Sequence, residues 1–405
     1  MLKTRVSNRI IPADLLIAWM MALGIYAKEF YLLPSGSLQI GDLFFLMAFA
    51  IAALTGRIRF ERIDRALLLF VFLAVIVNLV YAIYYLDVSF LQYSVYLLFS
   101  LVIVLLARSF FQNECILRHM LWALEAALIT QLLVCFAGFG RYFFDRYSGT
   151  FNDPNQFGYY ALTCLFLIYT INIILGRKQN LLWFLVAVYL IVQSSSSSMI
   201  LGVMAFTGFY VWELTADYPR EQKWLSRIVM VLLAGLALLM LMLAGGFGAP
   251  AGGPSGLQRL LARLPSDGGL KGVFEAYIKD RSAGRILENP WGFLYGTGEG
   301  RWARYATGNE IHATMISLCF YYGFIPYLLW IFWLWSNSRQ LTPALICVVA
   351  AQIIEAFTLA NHRQPFFWIL FVLVSNPRCK RRGKAEAAGG DGERLRDGTA
   401  KGVAG

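Results

Sequence analysis

Residues 66–86 read ALLLFVFLAVIVNLVYAIYYL, twenty-one positions with one amide, Asn78, and no charge. Charged residues bound the run on both sides, Arg62, Asp64 and Arg65 before it and Asp87 after it. A helix rises 1.5 Å per residue, so a membrane-spanning helix takes about 20 apolar residues. Only helices and closed barrels satisfy backbone polar groups in hydrocarbon. The run is continuous and does not alternate over ten-residue pieces, so a helix is favoured over a barrel strand.

Similar runs recur through the chain. They predict spans at about 11–28, 38–55, 66–86, 89–107, 116–137, 156–175, 180–193, 197–213, 226–244, 312–335, 341–360 and 364–376. Composition agrees. Of 405 residues, 59% are hydrophobic and 15% charged, against roughly 25% charged in a soluble domain. A soluble globular enzyme is excluded. The expected fold is an all-α polytopic membrane protein of about twelve helices. Helices 1–9 fill residues 1–244, a large loop takes 245–311, helices 10–12 take 312–376, and 377–405 is a basic tail. No small-residue cleavage site follows the first apolar run, which reads as a retained span.

The net charge is +11, and its distribution orients the spans. Arginine and lysine crowd the N-terminus, the even-numbered loops and the tail: Arg5 and Arg9, Arg57 to Arg65, Arg108 and Arg118, Arg177 and Lys178, then Arg378 to Lys384. Basic residues at span ends mark the cytoplasmic side. Both termini are therefore expected in the cytoplasm, with 245–311 on the far side. No basic stripe interleaves with aromatics outside the spans, so nucleic acid is not an expected partner. The six cysteines form no CxxC pair, and neither a disulfide framework nor a metal site is expected.

Three outward segments hold residues suited to chemistry. Ser148 to Gly158 reads SGTFNDPNQFG. Asp153 before Pro154 is a helix start, an N-cap followed by proline at the first helical position. It places free N–H groups and a positive dipole end where an anion could bind, with Asn152 and Asn155 beside it. A plain cap is the simpler reading of the same residues.

The large loop carries Arg281 and Arg285, four apart and hence on one face of an expected helix over 271–288. Two guanidiniums there could grip a diphosphate bidentately; solvated pairing with Asp280 and Glu288 is the alternative. The run Gly296-Thr297-Gly298-Glu299-Gly300 follows no strand and is no dinucleotide fingerprint. It is expected to turn the loop closely beneath a ligand.

The third element is His312, at the outer start of the tenth span. A helix N-terminus disfavours charged imidazole, leaving a neutral base. His362 is expected to face outward in a short loop beside Arg363, and His119 to lie at the cytoplasmic ends. Glu125 and Glu355 are the carboxylates expected deepest in the spans, where a charge is costly.

These motifs, in this order among twelve spans, resemble the O-antigen ligase and polymerase superfamily of bacterial envelope glycosyltransferases. The resemblance covers positions 148–330. It rests on Gly149-Thr150-Phe151-Asn152-Asp153-Pro154-Asn155, the arginine-bearing stretch ending at Gly296-x-Gly298, and His312 with Gly323 eleven residues on. It implies a GT-C-like fold in the bacterial inner membrane with a periplasmic active site. The donor would be an oligosaccharide on undecaprenyl pyrophosphate, and the acceptor a glycan or lipid A-core. Membrane lipids and a chain-length regulator are further implied partners. Transfer would be inverting and would need no cofactor or metal. By the resemblance Arg281 or Arg285 holds the pyrophosphate and His312 assists the acceptor. The chain departs from the family after the serine-rich turn, where Ser197-Ser198-Met199-Ile200 stands in place of an arginine. Arg141 or Arg146 is expected to supply that charge, or the donor contacts differ. The compact chain and its Asn152–Asn155 segment are nearer the polymerases than the ligases. A transporter of lipid-linked glycan or solute is the rival class; it would need midplane polar residues and an inverted repeat, and neither is evident.

Overall fold

The computed structural model describes residues 12–33, 38–143, 146–214, 281–305 and 308–380, with a few residues between 224 and 279. Most of the expected ninth span at 226–244, the loop segment 245–271 and the tail beyond 380 lie outside the described residues.

Among the described residues the chain is helix except for one two-stranded ribbon. The first eight helices are α1 (Pro12–Ala27), α2 (Ile40–Leu54), α3 (Arg65–Tyr85), α4 (Ser89–Phe110), α5 (Glu114–Phe136), α6 (Pro154–Leu175), α7 (Leu181–Ser194) and α8 (Ser197–Leu214). Each matches an apolar run read from the sequence. Strands β1 (Arg141–Phe143) and β2 (Arg146–Gly149) pair antiparallel between α5 and α6. Two single-turn helices, α9 (Arg285–Glu288) and α10 (Gly292–Tyr295), precede α11 (Thr314–Tyr322), α12 (Phe324–Asn337), α13 (Pro343–Thr358) and α14 (Pro365–Val374).

Among the described residues four helical stretches, Arg62–Tyr85, Ser89–Phe110, Glu114–Phe136 and Pro154–Leu175, are long and apolar enough to cross a membrane. They suggest a membrane protein. The most apolar window of α6 is 94% buried, that of α3 only 33%. Helix α6 is therefore the axis of the bundle, with α5, α7, α8, α13 and α14 packed on it. Helix α3 lies at the edge and leaves Leu68, Phe72, Ile76, Leu79 and Ile83 exposed. Their spacing makes one apolar stripe along the helix.

The expected tenth span is not continuous. It breaks at Gly323, whose φ of 87° is open to glycine alone. A Cβ there would meet Leu294 O at 2.7 Å and Gly296 N at 2.9 Å, and one at Gly296 would meet Tyr321 O at 2.7 Å. The break frees the Tyr321 carbonyl, which then accepts from Thr297 N at 3.0 Å and Gly298 N at 2.8 Å. Gly298 lies against Tyr81, and Gly300 against the Phe90 backbone. The glycine run thus seats the loop on a broken helix and on the α3–α4 corner.

At the opposite end of the bundle Arg108 is buried and bonds Asp64 Oδ2 at 3.0 Å, Ser375 and Asn337. Trp333 Nε1 donates to Asp64 Oδ1 at 3.0 Å. This cluster ties the ends of α3, α4, α12 and α14 together. Arg108, counted above among the basic residues of the even-numbered loops, is an internal tie.

Candidate active site at one end of the bundle

The start of α6 forms as its sequence predicts. Asp153 is in extended backbone and its Oδ1 accepts from Asn155 N at 2.8 Å, with Pro154 in the first turn. The ribbon holds two arginines over this start. Arg141 Nη1 donates to Asn152 Oδ1 at 2.6 Å. Arg146 Nη2 donates to Asn155 Oδ1 at 2.8 Å, and its Nε to Ser194 O at 3.0 Å. Ser196 Oγ completes the group, 3.2 Å from Asn155 Oδ1. Five expected residues, Arg141, Arg146, Asn152, Asp153 and Asn155, therefore come together. Of the two arginines, Arg146 is the one whose guanidinium reaches the serine-rich turn. The turn itself packs on α6, since a Cβ at Gly158 would lie 2.5 Å from Ser194 Oγ.

Beneath this segment Glu29 is fully buried at the end of α1. Gln131 Nε2 donates to Glu29 Oε2 at 3.1 Å and lies 2.7 Å from Thr150 Oγ1. Burial pushes the Glu29 carboxyl up to about 9, against a hydrogen bond from Gln131 that lowers it. Between its unfolded value of 4.5 and about 9 the unfolded chain has lost this proton and the folded chain keeps it, so stability falls as pH rises. Glu29→Gln should remove that slope. Thermal unfolding in detergent from pH 6 to 9 is the check: the wild type should lose midpoint temperature faster than the variant, and parallel curves would refute the buried proton.

Arg281 Nη1 donates to Thr358 O at the end of α13. Thr358 Oγ1 lies 3.3 Å from Oε2 of Glu355, which is fully buried, as its sequence position suggested. Gly202 of α8 faces this carboxylate, a Cβ there lying 3.5 Å from Glu355 Oε1. Glu125 is only half-buried, near Arg177 and Trp183. Arg281 is thus held at the end of α13, the helix that packs on α8. Its carbonyl accepts from His312 N at 3.2 Å.

Arg285 does not share a face with Arg281. Residues 281–284 form a turn, with Ser282 at a φ of 54°, and helix resumes only at Arg285. The left-handed residue breaks the expected 271–288 helix and turns the two side chains apart. Arg285 is fully buried, its guanidinium carbon 4.5 Å from the Tyr305 ring centre and 5.8 Å from that of Trp302.

His312 precedes α11 by two residues, with Ala313 between them as the cap. Its side chain is 48% exposed, and Nδ1 lies 3.5 Å from Glu310 Oε1. Behind it is a buried charge network that the sequence reading missed. Arg363 bonds Glu310 Oε2 at 2.8 Å and Glu299 Oε1. Tyr322 donates to Glu299 Oε2, and Glu299 N donates to Asn78 Oδ1 at 2.8 Å. Burial alone would push the Glu299 carboxyl up; Arg363, His362 and Tyr322 together hold it down at about 2.

His362 sits at the expected end of the bundle but is buried, its Nδ1 3.1 Å from Thr314 Oγ1 and its Nε2 3.7 Å from Glu299 Oε1. It belongs to the network and does not face solvent. His119 is at the other end, with Nδ1 2.7 Å from Cys115 O and its ring edge-on to Trp19. One signal for the network was available: Glu299 is an acid inside a glycine run, and such a residue at a helix bundle needs a cation. No protein-family model matches the chain, and no curated protein matches it at a significant level.

Proposed function

We propose that this chain is an integral membrane glycosyltransferase of cell-surface polysaccharide synthesis, transferring glycan from an undecaprenyl-pyrophosphate donor, and polymerising it in preference to ligating it to lipid A-core. In this reading the chain spans the bacterial inner membrane twelve times, with both termini cytoplasmic and the site periplasmic. The observation that carries the reading is the pairing of Arg146 with Asn155 and the Ser194 carbonyl at the start of α6, with Arg281 held at the end of α13 and bonded to His312 at the same end of the bundle. Cations and a helix start collect where a pyrophosphate would depart, and a half-exposed imidazole stands on the same segment.

The chemistry needs both. The acceptor hydroxyl attacks the anomeric carbon as its O–H bond breaks, and the proton passes to His312. The bond from the anomeric carbon to the pyrophosphate oxygen breaks, and that oxygen keeps the electron pair. In this reading Arg141, Arg146, Arg281 and the α6 amides stabilise the developing charge. A positioned base contributes roughly 100- to 10,000-fold.

His312→Ala should therefore lower transfer by roughly 100-fold or more while donor binding persists. His312→Gln separates proton transfer from orientation, because the amide cannot take up a proton. His119→Gln, at the far end of the bundle, should leave transfer unchanged. The assay uses purified protein and lipid-linked repeat units from a strain lacking this gene. Full activity of His312→Ala overturns the assignment. Glycan from the same strain separates the activities: single repeat units point to lost polymerisation, full chains on the carrier to lost ligation, and donor stranded on the cytoplasmic face to a transporter.

A further inference from the structure

His312, Glu310, Arg363 and Glu299 make one continuous chain of contacts from a half-exposed ring to a buried carboxylate. Glu310 uses both oxygens, Oε1 at 3.5 Å from His312 Nδ1 and Oε2 at 2.8 Å from Arg363 Nη1. Arg363 is 8% exposed and Glu299 1%. The Tyr93 ring centre lies 4.6 Å from the Arg363 guanidinium carbon. Arg363 therefore cannot swing away, and Glu310, 22% exposed, is pinned by it. One guanidinium between two carboxylates leaves one negative charge in excess, and the exposed member of the pair is the one beside His312.

We propose that Glu310 is a positioning residue for His312. Glu310 accepts from Nδ1–H, which fixes the tautomer and leaves the Nε2 lone pair to receive a proton; Arg363, locked by Glu299, holds Glu310 in place. The partner of one ring nitrogen decides the state of the other. The inference rests on the reading of His312 as the group that takes the acceptor's proton. It adds to that reading two residues from separate parts of the chain, one of them on the short loop between α13 and α14.

The chain contains three histidines, so ring-nitrogen NMR of the full chain, labelled with ¹⁵N-histidine in detergent micelles, is tractable. Each signal pair is assigned by its loss on substitution. In its neutral form His312 should carry its proton on Nδ1. In Glu310→Ala it should move toward Nε2, with the His119 signals unchanged. Glu310→Ala leaves Arg363 paired with Glu299, so the fold should survive.

Transfer from lipid-linked repeat units should slow roughly 10- to 100-fold, the loss typical when a metal-bound histidine loses the carboxylate that orients its ring. In a His312→Ala background the same change should cost less than about twofold, because the contact it removes is already gone. An Nε2-protonated His312 in both proteins overturns the positioning. So does an equal loss of rate in both backgrounds, which marks Glu310 as merely structural. Full transfer by His312→Ala instead overturns the reading of His312 itself, whatever the ring spectra show.

Discussion

Arg363→Met should leave very little folded protein. The guanidinium is nearly buried and lies between Glu299 and Glu310. Removing it strands a carboxylate that is fully buried among Tyr322, His362 and Asn78. Breaking a buried pair from one side costs about 3–5 kcal/mol, because the remaining charge is left uncompensated. That is a large share of the roughly 5–15 kcal/mol that holds a domain together.

The double variant Arg363→Met with Glu299→Gln should recover much of the loss, since the stranded charge is gone. Monodisperse yield in detergent and thermal midpoints would measure both. A single variant as stable as the wild type would show that the network carries no such load. The same carboxylate predicts acid tolerance. With its value held at about 2, against an unfolded value of 4.5, its contribution is complete at neutral pH. It is lost only as pH falls through that window.

Arg146→Ala and Arg281→Ala should each lower transfer by roughly 100- to 1000-fold, about 3–4 kcal/mol per lost transition-state contact. Lysine should rescue either one poorly. Arg146 donates from two nitrogens fixed in one guanidinium plane, to Ser194 and Asn155, and an ammonium group cannot reproduce that geometry. Arg285→Ala should behave differently. Its side chain fills a buried space against Tyr305 and Trp302, so the expected signature is lower stability of the loop and not a selective loss of rate. Rates per folded molecule, set beside limited proteolysis of the 281–305 segment, separate the two behaviours. Normal transfer by both Arg146→Ala and Arg281→Ala, at normal expression, would remove the pyrophosphate site.

The apolar runs carried most of the helix pattern, because burial in a bundle or a bilayer selects side chains by hydropathy over long windows. The Asp153-Pro154 start was legible for a local reason: cap and proline act on backbone groups two or three residues away. Arg141 and Arg146 meet partners only nine to eleven residues on. Three features were not legible. The break at Gly323 depends on a loop backbone lying against it, not on its neighbours in sequence. The turn at Ser282 places a non-glycine residue in left-handed backbone, which no composition rule marks. Glu299 and Arg363 stand 64 residues apart, and a pairing at that separation is fixed only when α11, α13 and the loop have packed. His362 was misread for the same reason: a short polar loop suggests exposure, and the fold folds it inward.

The seating of Gly296 and Gly298 on the broken helix has a consequence for modularity. Three glycines, a backbone carbonyl and two amides interlock across a gap of some twenty-five residues of sequence. The stretch from Arg281 to Tyr305 is therefore not an interchangeable cassette. A chimera that imported another chain's loop would have to import its helix break as well, and that loop would have to carry an acid to answer Arg363. Loop, break and counter-ion are inherited as a unit, so divergence in this region is expected to proceed by coordinated replacement and not by single-residue drift.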